Sequence, residues 1–215
     1  MLFPMLSAMY RVYATRGHIY NYRGLKIWIP AGVFHPAFFG SSKMLLEFIL
    51  DKEIIGKRIL ELGAGSGLVS LSLARQGAKV TASDINRKAL DGIIKSAEDN
   101  DLTLTVIESD LLEKLSVFYD HILVNPPFFP KDPKSAAEHA FYCGANYQYF
   151  QRLFSQLTTR EQAENVWMIL SQDCDLDIIS DLASAEALDM IEVATSSRFL
   201  ETFLIYHIRL KSTVG

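Results

Sequence analysis

Cysteine is scarce: Cys143 and Cys174 are the only two among 215 residues. They form neither a metal-binding spacing nor a disulfide framework, so the expectation is a metal-free protein of a reducing cytoplasm. Long apolar runs are missing as well. None reaches the roughly 18 residues of a membrane span. The apolar start Met1–Leu6 is short, is followed by Arg11 and Arg16, and closes on no small-residue cleavage site, which argues against a secretory signal. Acidic residues are absent from the first 34 positions, where Arg11, Arg16, Arg23 and Lys26 lie, while all 25 Asp and Glu fall beyond them. The same stretch carries Tyr10, Tyr13, Tyr20, Tyr22 and Trp28. Such a segment is either a solvated hairpin whose aromatics cover a small core, or a surface where cations meet phosphates and rings stack on bases.

What is present fits one α/β domain. Hydrophobic residues make up 49% of the chain, enough for a packed core. A helix from about Leu2 to Ala14 is expected first. A hairpin follows, His18–Tyr22 and Leu25–Ile29, turning at Arg23-Gly24. Residues 1–34 thus read as an extension of helix and hairpin ahead of a main domain, 35–215. Ser41 or Ser42 is expected to cap a helix over Lys43–Leu50. Strands and helices then alternate: strand 58–62, helix 68–76, strand 79–83, helix 87–99, strands 104–107 and 121–124, helix 147–157, strand 166–170, helix 176–187. The last two strands, Met190–Ala194 and Phe203–Leu210, have no helix between them, only Thr195–Thr202, so they must be antiparallel. The alternation predicts a Rossmann-like, seven-stranded, mostly parallel sheet with an antiparallel last strand and helices on both faces.

Two motifs carry chemistry. Glu61-Leu62-Gly63-Ala64-Gly65-Ser66-Gly67 joins the first strand of the main sheet to its helix. Its glycines permit a sharp turn and close ligand approach, and the loop delivers a ligand to a helix N-terminus. Asp84 ends the next strand, where a carboxylate can accept both hydroxyls of a ribose. Leu68 stands where a dinucleotide fingerprint has its last glycine, and no Gly-Lys-Ser/Thr ending makes a P-loop. The second motif, Asn125-Pro126-Pro127-Phe128, follows strand 121–124. Two prolines fix φ and remove two donors. The Asn side-chain oxygen and the Pro126 carbonyl can then accept the hydrogens of a planar –NH2 against the Phe128 ring.

These motifs resemble those of the class I methyltransferases over about residues 32–210. Glu61–Gly67 is similar to their first motif, Ala82–Asn86 to their second, and Asn125–Phe128 to the Asn-Pro-Pro-aromatic motif of enzymes acting on adenine N6, guanine N2 and protein glutamine. The resemblance implies S-adenosylmethionine as cofactor and S-adenosylhomocysteine as product. By position, Gly63, Gly65 and Gly67 would pass under its amino-acid part, Asp84 would bind the ribose and Asp110 would meet the adenine amino group; Ala64, Ile85, Leu111 and Asn125 would also contact the cofactor. Glu61 would steady the loop or meet the ammonium through water. Asn125, Pro126, Pro127 and Phe128 would be the catalytic clamp. The stretch Gly32–Leu46 is similar to ribosomal-RNA guanine-N2 methyltransferases, and Phe128-Phe129-Pro130 echoes release-factor glutamine methyltransferases. The implied partner is therefore an RNA base, with a protein glutamine as the alternative, and an accessory subunit is conceivable. Rivals from other classes are an NAD(P)-binding oxidoreductase and a non-catalytic cofactor-binding subunit. His35 and Phe38-Phe39 are placed to line the entrance, although packing is the commoner role of such residues. The segment Phe129–Asn146, with Lys131, Lys134, His139, Tyr142 and Gly144, suits a substrate loop. Ser196–Glu201 is a further candidate border of the acceptor site, and Cys143 has no partner that would make it a nucleophile.

Overall fold

The computed structural model describes residues 15–38, 40–135, 138–160, 162–198 and 201–211. The expected helix over Leu2–Ala14 lies outside them. The first described elements are β1 (His18–Tyr22) and β2 (Leu25–Ile29), an antiparallel pair in which Tyr22 faces Leu25 and His18 faces Ile29. Arg23 and Gly24 at the turn both have positive φ, 45° and 84°, the conformation of a type I′ hairpin. Leu25, Ile27 and Ile29 are fully buried, and Tyr20 and Tyr22, on the same face, pack over that core. Of the two readings of the basic aromatic stretch, the covering role is the one these tyrosines take. The outer edge of β2 is closed by the next helices in space: Trp28 N–H donates to Ser96 Oγ (2.8 Å), and Asn100 exchanges two bonds with the Lys26 backbone (3.0 and 2.8 Å).

The main sheet has seven strands in the order β5-β4-β3-β6-β7-β9-β8. They are β3 (Arg58–Leu62), β4 (Lys79–Asp84), β5 (Thr105–Glu108), β6 (Tyr119–Val124), β7 (Ala163–Ser171), β8 (Leu188–Arg198) and β9 (Glu201–Leu210). The first five pair in parallel, and β9 runs antiparallel to both β7 and β8. Alternation along each strand feeds two cores, as expected of a sheet covered on both sides. Ile59, Leu123, Trp167, Ile169 and Ile205 point to the face of the hairpin, α1 (Ser41–Leu50), α2 (Leu68–Arg75) and α3 (Arg87–Glu98). Leu60, Leu62, Ile122, Val124, Met168 and Leu170 point to the face of α4 (Gln148–Arg160) and α5 (Leu176–Ala185).

Two expectations need correction. The helix α1 begins at Ser41, with Gly40 as its N-cap and no side-chain cap bond, so neither Ser41 nor Ser42 caps it. Both serines are buried inside the first turn and their hydroxyls are used elsewhere. The segment Thr195–Thr202 is mostly strand: Ser197 pairs with Thr202 and Arg198 with Glu201. The ribbon continues past the apolar core on backbone pairing and polar contacts such as Ser197 Oγ to Thr202 Oγ1 (2.9 Å), so it carries no apolar alternation to reveal it.

Candidate functional site

The strand order reverses between β3 and β6, and ligands of open α/β sheets bind at the carboxyl ends of strands at such a point. There the ends of β3, β4, β5 and β6 open into one cleft of about 1340 Å³. Ligand pockets commonly have about 300–1,000 Å³, so this one has room for a nucleoside-sized cofactor and part of a second reactant.

At the end of β3, the Gly63 and Ala64 amides both donate to the Ser83 carbonyl (2.8 and 2.9 Å), tying the glycine loop to β4. Gly63 has φ 75°, and a Cβ there would meet open space: the loop passes bare backbone to the cleft. Gly67 requires glycine for a different reason. It is the left-handed N-cap of α2, and a Cβ would stand 2.6 Å from Ile93 Cγ1. It does not line the cleft, unlike Glu61, Gly63, Ala64 and Gly65.

A helix capped by glycine has no side chain for its first amides. Glu61 supplies one from the strand: its Oε2 accepts the Ser70 N–H (2.8 Å) and the Ser70 hydroxyl. Burial pushes its carboxyl up to about 8, the Ser70 bonds offsetting only part of that cost. Asp84 closes β4 with both oxygens engaged, Oδ2 by Gly65 N–H and Oδ1 by Asn86 N–H (2.8 Å each). Burial raises its pKa despite these amides. Each carboxylate oxygen retains a lone pair for another donor, which suits a diol. Beside it Ile85 leaves an apolar side chain 50% exposed in the cleft, a surface for a flat ring.

After β5, Ser109 Oγ donates to the Leu111 carbonyl and accepts from Lys114 N–H, closing a turn in which Leu111 has φ 49°. That conformation is uncommon for leucine and held by its surroundings. The turn puts Asp110 and Leu111 on the cleft, and Arg152 of α4 fixes Asp110 Oδ2 at 2.7 Å.

Asn125, Pro126, Pro127 and Phe128 leave β6, the neighbour of β3 in the sheet, and line the same cleft. The Asn125 Nδ2 group donates to Ser41 Oγ and to Ser42 Oγ, 3.1 Å each, one acceptor for each of its two hydrogens. Phe128 rests against the α4–α5 core and against Phe129, ring centroids 4.7 Å apart. The Phe129 backbone then pairs with the return segment: its N–H donates to the Phe141 carbonyl and its carbonyl accepts from Cys143 N–H (3.0 Å each). Phe141 reaches across to Phe34 (5.8 Å), which stands next to Gly65.

The structure thus brings every proposed cofactor and clamp residue except Gly67 to one cleft. Within the loop after Phe128, His139, Tyr142 and Gly144 line it, whereas Lys131 lies over the Tyr142 ring and the Lys134 amide bonds Glu138. Phe38 lines the cleft; His35 does not, being buried against Tyr20 and Phe38. Phe39 lies outside the described residues. Glu201 and Phe203 of β9 border the far end. The Cys143 thiol is buried, donates to the Phe129 carbonyl, and is pushed up to about 11, so it is no nucleophile. Ser41, Ser42, Phe34, Phe141 and Arg152 were not legible as site residues. The Gly40-Ser41-Ser42 run points to the first two only as helix-cap candidates. Among the described residues no helix is long and apolar enough to cross a membrane, and no group of three or more His, Cys, Asp or Glu is placed to hold a metal ion.

Comparison with known proteins completes the picture. The chain is 37% identical over 115 residues to a release factor glutamine methyltransferase of Lactococcus lactis, which covers 52% of this chain and 42% of the relative. It is 32% identical over 112 residues to a ribosomal RNA small subunit methyltransferase C of Actinobacillus pleuropneumoniae, covering 51% and 34%. The chain thus spans from a third to about half of the length of the curated relatives it matches. In fold it is similar to a 16S rRNA N2 G1207 methyltransferase of T. thermophilus, solved in complex with AdoMet and guanosine. The TM-score is 0.63 at 21% identity, over 91% of this chain and 50% of that one. Residues 24–150 match the family model described as the methyltransferase small domain, and the chain belongs to that family.

Proposed function

We propose that this protein is an S-adenosylmethionine-dependent N-methyltransferase acting on a planar amino nitrogen. The observation that carries the reading is the shared cleft, lined by the Gly63–Gly65 loop and Asp84 together with Asn125-Pro126-Pro127-Phe128. The residues suit the cofactor. Gly63 leaves open space at its Cα, Asp84 keeps two lone pairs for the ribose, Asp110 and Ile85 offer an acceptor and an apolar face to adenine. Glu61 is a buried carboxyl without a cation beside it, a deficit that the cofactor's ammonium would relieve. Bound there, S-adenosylmethionine supplies an electrophilic methyl on a sulfonium.

The protein's own work is to prepare the acceptor. An amide or exocyclic amine nitrogen has a delocalised lone pair and is a poor nucleophile. Asn125 Oδ1 and the Pro126 carbonyl accept its two hydrogens, which favours a localised lone pair aimed across the cleft. Phe128 holds the plane of the group. The surplus proton leaves afterwards along the same hydrogen bonds to water, so no strong base is required. Positioning and fixed dipoles supply the rate.

The acceptor is a nucleobase amino group in RNA, and a protein glutamine is the second reading, which the 37% identity to a release factor glutamine methyltransferase favours. Residues 1–34 serve as an extension of the domain 35–215, an accessory subunit is a further partner of this reading, and the site of action is the cytoplasm. Tritiated S-adenosylmethionine, incubated with separated RNA and protein from a strain lacking the gene, tests this. Label in one fraction identifies the acceptor; label in neither sinks the proposal.

A further inference from the structure

Ser41 and Ser42 lie 84 and 83 residues from Asn125 in the chain, yet both of their hydroxyls are within 3.1 Å of its side-chain nitrogen. Neither caps its own helix. They are 4% and 9% exposed, and both line the cleft together with Asn125. Two successive serines buried in the first turn of a helix are unfavourable for helix propensity and bury two polar groups. Their partner is the one side chain that the proposed chemistry depends on.

We propose that Ser41 and Ser42 are positioning residues that set the face Asn125 presents to the acceptor. An asparagine amide is ambivalent: turned one way it offers an acceptor oxygen, turned the other way an NH2 donor. With both Nδ2 hydrogens held by the serines, only Oδ1 is left for the incoming group. The site then attracts a nitrogen that carries hydrogens and rejects a group that can only accept. The pair therefore selects for an amino or amide –NH2 over a carbonyl or ring nitrogen of similar shape. This inference rests on the N-methyltransferase reading, and the two can fail separately.

The test uses the full chain with Ser41→Ala, Ser42→Ala and the double variant. In the wild type the two Asn125 side-chain NH2 protons, followed by 15N NMR, exchange slowly with water. In the double variant they exchange fast, and each single variant retains one slow proton. Slow exchange that persists in the folded double variant, or fast exchange already in the wild type, overturns the assignment. Once an acceptor fraction is labelled, kcat is expected to fall about 10- to 100-fold in the double variant. The Kd for S-adenosylhomocysteine should stay within about twofold. A matching loss of cofactor affinity, or an unchanged kcat, also overturns it. If the wild type labels no fraction, the N-methyltransferase reading fails and the exchange measurement still decides how Asn125 is held. The single variants keep the test readable should the double variant unfold.

Discussion

The roles of Asn125 and Asp84 in the cleft can be separated by experiment. Asn125→Ala removes an acceptor that matters only as the nitrogen becomes nucleophilic, so turnover should fall about 100- to 1,000-fold while cofactor affinity hardly changes. Asp84→Ala removes two hydrogen bonds to a charged group, about 1.5–3 kcal/mol each. Cofactor Kd should therefore rise by at least tenfold before any effect on the chemistry is visible. Titration calorimetry with S-adenosylhomocysteine, alongside single-turnover rates, distinguishes the two. Glu61 makes a third prediction. With its carboxyl at about 8 in the fold and near 4.5 in the unfolded chain, it holds a proton at neutral pH. Its contribution to stability is complete below about pH 4.5 and is lost as pH rises through 8. A cationic ammonium beside it favours the carboxylate, so binding at pH 7 should release close to one proton. Calorimetry in two buffers of different protonation enthalpy reads that proton directly, and Glu61→Gln should abolish it.

Helices and strands here are held by what meets at their ends. The start of α2 has a left-handed glycine, a carboxyl group borrowed from β3 and no space beside Ile93. Gly67→Ala should destabilise the fold by more than ~1 kcal/mol, because both the φ of 73° and the contact oppose a Cβ. Urea melts check this, and Ile93→Ala in the same chain should not recover the backbone part of the loss. On the sheet, Trp167 of β7 donates to His121 Nδ1 on β6 (3.1 Å) and stacks on His207 of β9 at 4.3 Å, with the Lys52 ammonium over its ring. Burial lowers the pKa of both histidines. Each therefore stabilises the fold above about pH 6.5, and that share is lost as pH falls below it. Glu61 slopes the opposite way, so the measurement is a comparison: the unfolding free energy at pH 7.5 minus that at pH 5 should be algebraically lower in His121→Gln/His207→Gln than in the wild type. These elements differ in how far the sequence disclosed them. The Arg58–Leu62 and Lys79–Asp84 strands and the loop between them are local patterns, so their letters sufficed. Ser41 and Ser42 are also local letters, but their meaning depends on a residue over 80 positions away, and a helix-capping reading satisfied the local rules. The full length of the β8–β9 ribbon is not legible in the sequence because its outer half is polar and is held by backbone pairing and polar contacts.

For the whole molecule, the sheet joins the half that carries the proposed cofactor residues, β3 to β5, to the half that carries the proposed acceptor clamp, β6 to β9. Ligand binding to the first half should stabilise the entire fold. At a hundredfold excess over Kd the gain is about 2.7 kcal/mol. For a chain of this length that corresponds to a rise in Tm of roughly 5–11 °C. Thermal melts with S-adenosylhomocysteine measure it, and the rise should fall to about half or less at the same ligand concentration in Asp84→Ala. The overall topology was readable from strand–helix alternation, because parallel strands require crossovers that leave a periodic trace. The acceptor end was not, since the described residues of the loop after Phe128 are tied by backbone bonds between Phe129, Phe141 and Cys143 rather than by any pattern. The border between β3 and β6 has a consequence for descent. Parallel pairing from Ile59 with His121 to Leu62 with Val124 is backbone contact, indifferent to the side chains on either crest. Lineages can therefore rewrite the loop beyond Phe128 and acquire a new acceptor while inheriting the cofactor grip unchanged. Exchange of residues 129–146 for the matching loop of a relative would repeat that history in the laboratory.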